Sequence, residues 1–181
     1  MKVVAIVGMA GSGKSEVSRV FEQHGFVRVR FGDITDEEMK KCGVAPGEQG
    51  ERYIRELLRK EHGMVAYAKL NLPKINAALE HSNVVCDGLY SWEEYLFLKD
   101  FYKDRFSCVA VFAPPQLRYQ RLLARAKRGL TLAEAASRDK SEIENINKGG
   151  PIAMADSTVL NCSSLEDLQG AVERVIILFG K

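Results

Sequence analysis

The sequence predicts an α/β layered domain built on a largely parallel sheet, and three observations carry that expectation. Val3–Val7 is a continuous apolar, β-branched run ending in glycine, the pattern of a strand buried on both faces. A glycine-rich turn and an amphipathic helical pattern follow it. Strand-like runs then alternate with helical patterns to the end of the chain, as parallel α/β folds require. The 181 residues fit one domain, and a chain of this length holds a core without disulfides or a structural metal.

Each element has a local reason. Residues 15–24 carry Val17, Val20 and Phe21 at helical spacing, with Gly25 placed as a helix C-terminal glycine. Residues 26–31 alternate Val27 and Val29 with Arg28 and Arg30, which reads as a second strand. From Gly32 to about His81 the composition shifts to charged helix, with residues 50–62 rich in Glu and Arg and residues 64–79 more apolar. Residues 83–86 followed by Asp87 repeat the strand-then-polar pattern. Ser91-x-x-Glu94 is a capping box opening a helix through about Tyr102. Residues 107–112 form a fourth strand, and Pro114-Pro115 marks the next helix start. Thr131-x-x-Glu134 and Ser163-x-x-Glu166 are two further capping boxes. Between them residues 158–160 form a last strand, and Leu165–Phe179 a final amphipathic helix.

Composition narrows the function. Lys plus Arg number 26 and Asp plus Glu 24, for a net charge of +2. So small an excess excludes an acidic tail or a basic nucleic-acid coat, and no aromatic-plus-basic platform points to RNA. Cys42, Cys86, Cys108 and Cys162 have no metal-ligand spacing, and Cys86 and Cys108 read as buried reduced thiols. No apolar run approaches the ~20 residues of a membrane helix. The apolar start is broken by Gly8 to Lys14 too soon for a signal peptide. A soluble protein of the reducing cytoplasm is expected, with no membrane partner.

The sharpest signal is Gly8-Met9-Ala10-Gly11-Ser12-Gly13-Lys14-Ser15, which matches G-x-x-x-x-G-K-[ST] between a strand and a helix. Glycines let successive N–H groups turn inward as an anion nest at the positive end of a helix dipole. Lys14 reaches β- and γ-phosphates, and the Ser15 hydroxyl ligates Mg²⁺. A nucleoside triphosphate is therefore expected here. Asn147-Lys148-Gly149-Gly150 lacks the carboxylate of a guanine-reading N-K-x-D. Asp87, at the end of an apolar strand, reads either as a carboxylate near Mg²⁺ and its waters or as a turn-forming Asp-Gly pair. Gly88 follows it where dedicated hydrolases often carry a water-activating Glu.

Arg118, Arg121, Arg125 and Arg128 are spaced 3, 4 and 3, which places them on one helix face, and Arg138 follows on the next helix. Residues 118–148 hold eight basic and four acidic residues. This stripe is either a solvated face or a lid that delivers arginines to the transition state. Gly32-Asp33 ends the second strand, so Asp33, Asp87 and the loop converge on one crevice at the strands' C-terminal ends. Asp33 reads as a helix N-cap before residues 34–41, as a catalytic base, or as both.

On these residues the chain resembles the nucleoside-monophosphate-kinase-like phosphate-loop kinases. It is more closely similar to dephospho-coenzyme A kinase and to an archaeal family of adenylate-kinase-related proteins. The resemblance rests on the phosphate loop, Phe31-Gly32-Asp33, Asp87-Gly88, and Ala113-Pro114-Pro115-Gln116-Leu117 running into Arg121-Leu122 and Arg125. It continues through residues 131–138, Ile152-Ala153-Met154-Ala155-Asp156, Val159-Leu160-Asn161 and Ser164-Leu165-Glu166-Asp167-Leu168. It implies a P-loop NTPase three-layer sandwich with a five-stranded parallel sheet in order 2-3-1-4-5. It divides the single domain, 1–181, into a core (about 1–31, 82–113 and 156–181), an acceptor-binding insertion (about 34–81) and a lid (about 116–150).

The implied reaction is ATP- and Mg²⁺-dependent phosphoryl transfer to a nucleotide-like small molecule. Lys14, Asp33, Asp87, Arg121, Arg125 and Arg138 would be its catalytic residues, and Ser15 and Asp87 its metal ligands, Asp87 through water. Asp36 stands where adenylate kinases carry an acceptor-binding arginine, and Leu89-Tyr90-Ser91 replaces their Phe-Pro-Arg. An Asp-x-Asp typical of dephospho-coenzyme A kinases is reduced to Phe31-Gly32-Asp33. Arg52, Arg55 and Arg59 either supply substitute phosphate contacts or pair with Glu51 and Glu56 on a solvated helix. Three functions stay open at this point: a hydroxyl kinase, a nucleoside monophosphate kinase, and an ATP-binding switch without phosphoryl transfer.

Overall fold

Five parallel strands form one sheet in the order β2-β3-β1-β4-β5 in the computed structural model, which describes residues 1–126 and 129–179. This is the expected order. The strands are β1 (Val3–Val7), β2 (Val27–Arg30), β3 (Val84–Asp87), β4 (Phe106–Phe112) and β5 (Ser157–Leu160). In register, Val3 lies beside Val84 on one side and Phe106 on the other.

β1 is central, and all five of its residues are buried. Alternation divides them between two cores. Val3, Ala5 and Val7 face one core, packed by α2 (Asp33–Cys42), α3 (Glu48–His62), α4 (Ala66–Leu79) and α5 (Trp92–Tyr102). Val4 and Ile6 face the other, packed by α1 (Lys14–Gln23) and α9 (Leu165–Phe179). Each fully buried branched side chain contributes roughly 1.5–3 kcal/mol, so the two cores fix the strand ends that carry the site. α6 (Pro115–Leu123), α7 (Leu132–Glu144) and α8 (Gly149–Ala153) lie between β4 and β5. Leu122 of α6, Ala135 of α7, Leu130 and Ala10 make a third, small core over the glycine-rich loop.

The structure corrects four local readings. The last helix is capped by Ser164, whose hydroxyl accepts from the Asp167 N–H at 3.1 Å, rather than by the Ser163–Glu166 box. Gly32, without any side-chain bond, is the N-cap of α2, and Asp33 is its first residue. α6 ends at Leu123, so Arg125 lies beyond the helix and outside the arginine stripe; Arg128 falls outside the described residues. Arg118 is buried and neither solvated nor in the loop cavity. Its guanidinium meets Asp139 of α7 at 2.9 and 2.6 Å and donates to the carbonyls of Ala113 and Ala10.

That pair ties α6 to α7, and it leads to an expected result. Arg118→Met takes the cation from the buried Asp139 and leaves it only the Tyr119 hydroxyl at 3.0 Å, which costs roughly 3–5 kcal/mol. Denaturant unfolding should show the loss; a change below about 1 kcal/mol would contradict a buried role.

Candidate active site

The glycine-rich loop runs from the end of β1 into α1, and its neighbours demand its glycines. Gly13 is the N-cap of α1 with φ +101°, and a Cβ there would lie 2.1 Å from the Asn161 side-chain amide. That amide donates to the Ser12 carbonyl at 2.8 Å, so the residue following β5 braces the loop from behind. A Cβ at Gly8 would meet the Val111 carbonyl at 2.5 Å. No side chain caps the first turn of α1, which leaves its N–H groups to an incoming anion at the positive dipole end.

Lys14 folds back across the loop, its ammonium donating to the carbonyls of Gly8 and Met9 at 2.8 and 3.0 Å. Desolvation, seconded by Lys148, lowers its pKa from 10.5 to about 7, against the opposing pull of Glu142 and Asp87. The sign of a coupled binding effect follows. A polyphosphate beside Lys14 favours the ammonium, so the bound pKa rises and binding takes up protons between the free and bound values. Titrating Mg-ATP at about pH 8 in buffers of different ionisation enthalpy should therefore show uptake approaching one proton. No buffer dependence would contradict a desolvated Lys14 at the phosphates.

Asp87 ends β3 beside the loop. Ser15 Oγ donates to its Oδ2 at 3.2 Å, and the same oxygen receives Arg28 from β2 at 2.5 Å. A hydroxyl next to a carboxylate is an oxygen donor set that a hard divalent cation accepts, so these residues fit Mg²⁺. Asp33 is half-exposed and paired with Arg30 at 2.9 Å.

Two cavities adjoin over these residues. One, of about 140 Å³, is bounded by Ala10, Gly11, Lys14, Ser15, Asp87 and Gly88, with Arg125 and Lys148 above. The other, of about 210 Å³, lies between α3 and α7 and is lined by Arg52, Arg55 and Arg59 with Glu48 and Glu56. Tyr90, Arg138 and Glu142 line both. Arg138 spans them, bonding Glu142 on its own helix and Glu48 on α3, each at 3.2 Å. Arg121 lines neither; it donates to Asn161 at 3.2 Å, behind the loop. Asp33 also lines neither, although its neighbours Arg30 and Gly32 line the loop cavity.

A family model described as an AAA domain matches residues 4–147. The UPF0200 protein of Thermococcus kodakarensis is 36% identical over 178 residues, which cover 96% of each chain. This chain belongs to the UPF0200 family. Among solved structures, the Acinetobacter baumannii shikimate kinase in complex with shikimate matches with a TM-score of 0.60. It is 18% identical, over 100% of this chain and 95% of that one. The dephospho-CoA kinase of Campylobacter jejuni matches at 0.56 with 13% identity, over 98% and 97%. At these identities the likeness establishes the fold: this UPF0200 protein has a P-loop kinase-like architecture.

Four residues at the site of this UPF0200 protein escape the sequence reading. Lys148, 1% exposed, pairs with Glu142 at 2.9 Å, and Tyr90 lies beneath its ammonium. Arg28 holds Asp87. Only Lys148 left a trace, as the lysine of the incomplete N-K-x-D. Arg52 pairs with Glu56, as one reading of α3 expects. Arg55 pairs with Glu48 and Glu51. Arg59 instead lies over the Tyr67 ring, and its buried Nε has no hydrogen-bond partner.

Proposed function

We propose that this protein transfers the γ-phosphoryl group of ATP to a hydroxyl of a nucleotide-like small molecule, in the manner of a dephospho-coenzyme A kinase. One observation carries the reading: the phosphate-loop cavity lies against a second cavity, lined by the arginines and glutamates of α3, across a shared wall of Tyr90, Arg138 and Glu142. A transferase must hold its acceptor beside the phosphate site, and this neighbouring cavity offers a place for one.

In this reading residues 8–15 hold the polyphosphate, with Lys14 against the β- and γ-oxygens. Mg²⁺ held at Ser15 and Asp87 supplies further charge neutralisation there. The bond from the γ-phosphorus to the β–γ bridging oxygen breaks as a bond to the acceptor oxygen forms. Asp33 takes the hydroxyl proton, and ADP leaves with the broken bond's electron pair. Arg125 and Arg138 carry the charge that develops. Arg121 acts through Asn161, which braces the loop. Residues 34–81 contribute the acceptor wall through α3, and residues 116–150 the lid. Among the described residues no helix is long and apolar enough to cross a membrane, and the four free cysteines suit the reducing cytoplasm.

A nucleoside monophosphate kinase is the second reading. It is favoured by the arginines of α3 and by the pairing of Asp33 with Arg30, since an anionic acceptor oxygen needs no base. A coupled assay of ADP release against dephospho-coenzyme A, nucleosides and nucleoside monophosphates tests both. Stimulation by a hydroxyl acceptor is expected. Mg-ATP binding with no stimulation by any acceptor would overturn transfer and favour an ATP-binding switch.

A further inference from the structure

The wall shared by the two cavities holds an unusual charge arrangement. Lys148 precedes α8, delivered from Asn147 at a left-handed φ of +52°. Its ammonium is fully enclosed, lines the loop cavity and faces one carboxylate, Glu142. Glu142 is itself shared with Arg138. The buried Lys148 and the half-buried Lys14 and Arg138 thus line one cavity. Such an arrangement is unfavourable without anions, and Glu142, which lines both cavities, is one of the few present.

We propose that Lys148 is a further catalytic residue, contacting the transferred γ-phosphoryl group, and that Glu142 holds its place until that group arrives. The proposal rests on the kinase reading above. Glu142 engages both cations. When Mg-ATP enters, the γ-phosphate oxygens take over the ammonium of Lys148 and the guanidinium of Arg138. Glu142 then turns from placeholder to competitor. Asp87, whose Oδ2 takes Arg28 and Ser15, pairs with neither Lys148 nor Arg138 in the structure. Nor is Lys148 free to pair elsewhere: its other near neighbour is the face of Tyr90, 5.1 Å from the ammonium.

The chemistry makes a discriminating forecast, because ADP lacks the group Lys148 is assigned to touch. The double variant Lys148→Met/Glu142→Gln leaves no unpaired lysine or carboxylate behind, so it tests the contact without stranding a buried charge. Calorimetry with Mg-ADP and with a non-hydrolysable Mg-ATP analogue should give near-native ADP affinity and an analogue affinity reduced roughly 10- to 100-fold. Glu142→Gln alone retains the lysine and removes its competitor, so the analogue should bind several-fold more tightly while ADP changes little.

Parallel losses for ADP and analogue in the double variant, or no loss for either, would overturn the proposal and leave Lys148 a structural residue linking α7 to α8. Weaker analogue binding in Glu142→Gln would overturn it independently, whether or not the double variant folds. If the native protein bound neither ligand, the kinase reading itself would fall.

Discussion

Asp33→Asn is expected to slow phosphorylation of a hydroxyl acceptor by ~10²–10⁴-fold, the usual contribution of a positioned general base. The substitution is nearly isosteric. It weakens one half-exposed pair with Arg30, of a kind worth about 0–1 kcal/mol. Folding should therefore survive, and a loss of turnover would report on the chemistry. Steady-state rates on the best acceptor, beside a melting curve, decide the matter. Near-native turnover would remove Asp33 from proton transfer and leave the monophosphate-kinase reading, in which the acceptor oxygen arrives already ionised.

Lys14→Ala has the second large effect. This ammonium rests on the Gly8 and Met9 carbonyls, a position from which a phosphate would draw it away. Truncating one member of a desolvated charge pair costs roughly 2–5 kcal/mol, about 30- to several-thousand-fold in affinity. Mg-ATP affinity measured by calorimetry should fall by that factor. The melting temperature of the empty protein should hardly move, because Lys14 belongs to neither large core. Retention of native affinity would place the polyphosphate elsewhere.

The fold was legible because its signals are local. Five β-branched runs and the capping boxes at Ser91 and Thr131 state where elements begin, and a parallel sheet follows from their alternation. The phosphate loop was legible for the same reason, since its glycines, lysine and serine are all adjacent. Where a partner comes from another element, the reading weakened. The spacing of Arg118, Arg121 and Arg125 assumes a helix that in fact stops at Leu123. Asp139, 21 positions on, decides that Arg118 is structural. Ser163 and Ser164 both satisfy a capping pattern, and only hydrogen-bond geometry selects the second. Strand β2 lies at the sheet edge, and on one of its faces Val29 is buried while Val27, at the strand's first position, is exposed. Its Arg28, which reads as an outward polar residue, crosses to Asp87. The burial of Lys148 depends on Glu142 and Tyr90, and no spacing rule connects the three.

Competition at the loop offers the most direct measurement. The native protein should give a one-site binding isotherm with Mg-ATP. Inorganic tripolyphosphate should displace the nucleotide, whereas adenosine should not, because the backbone and Lys14 grip the phosphates rather than the base. Absence of any isotherm, or displacement by adenosine and not by tripolyphosphate, would contradict a site built around the turn between β1 and α1.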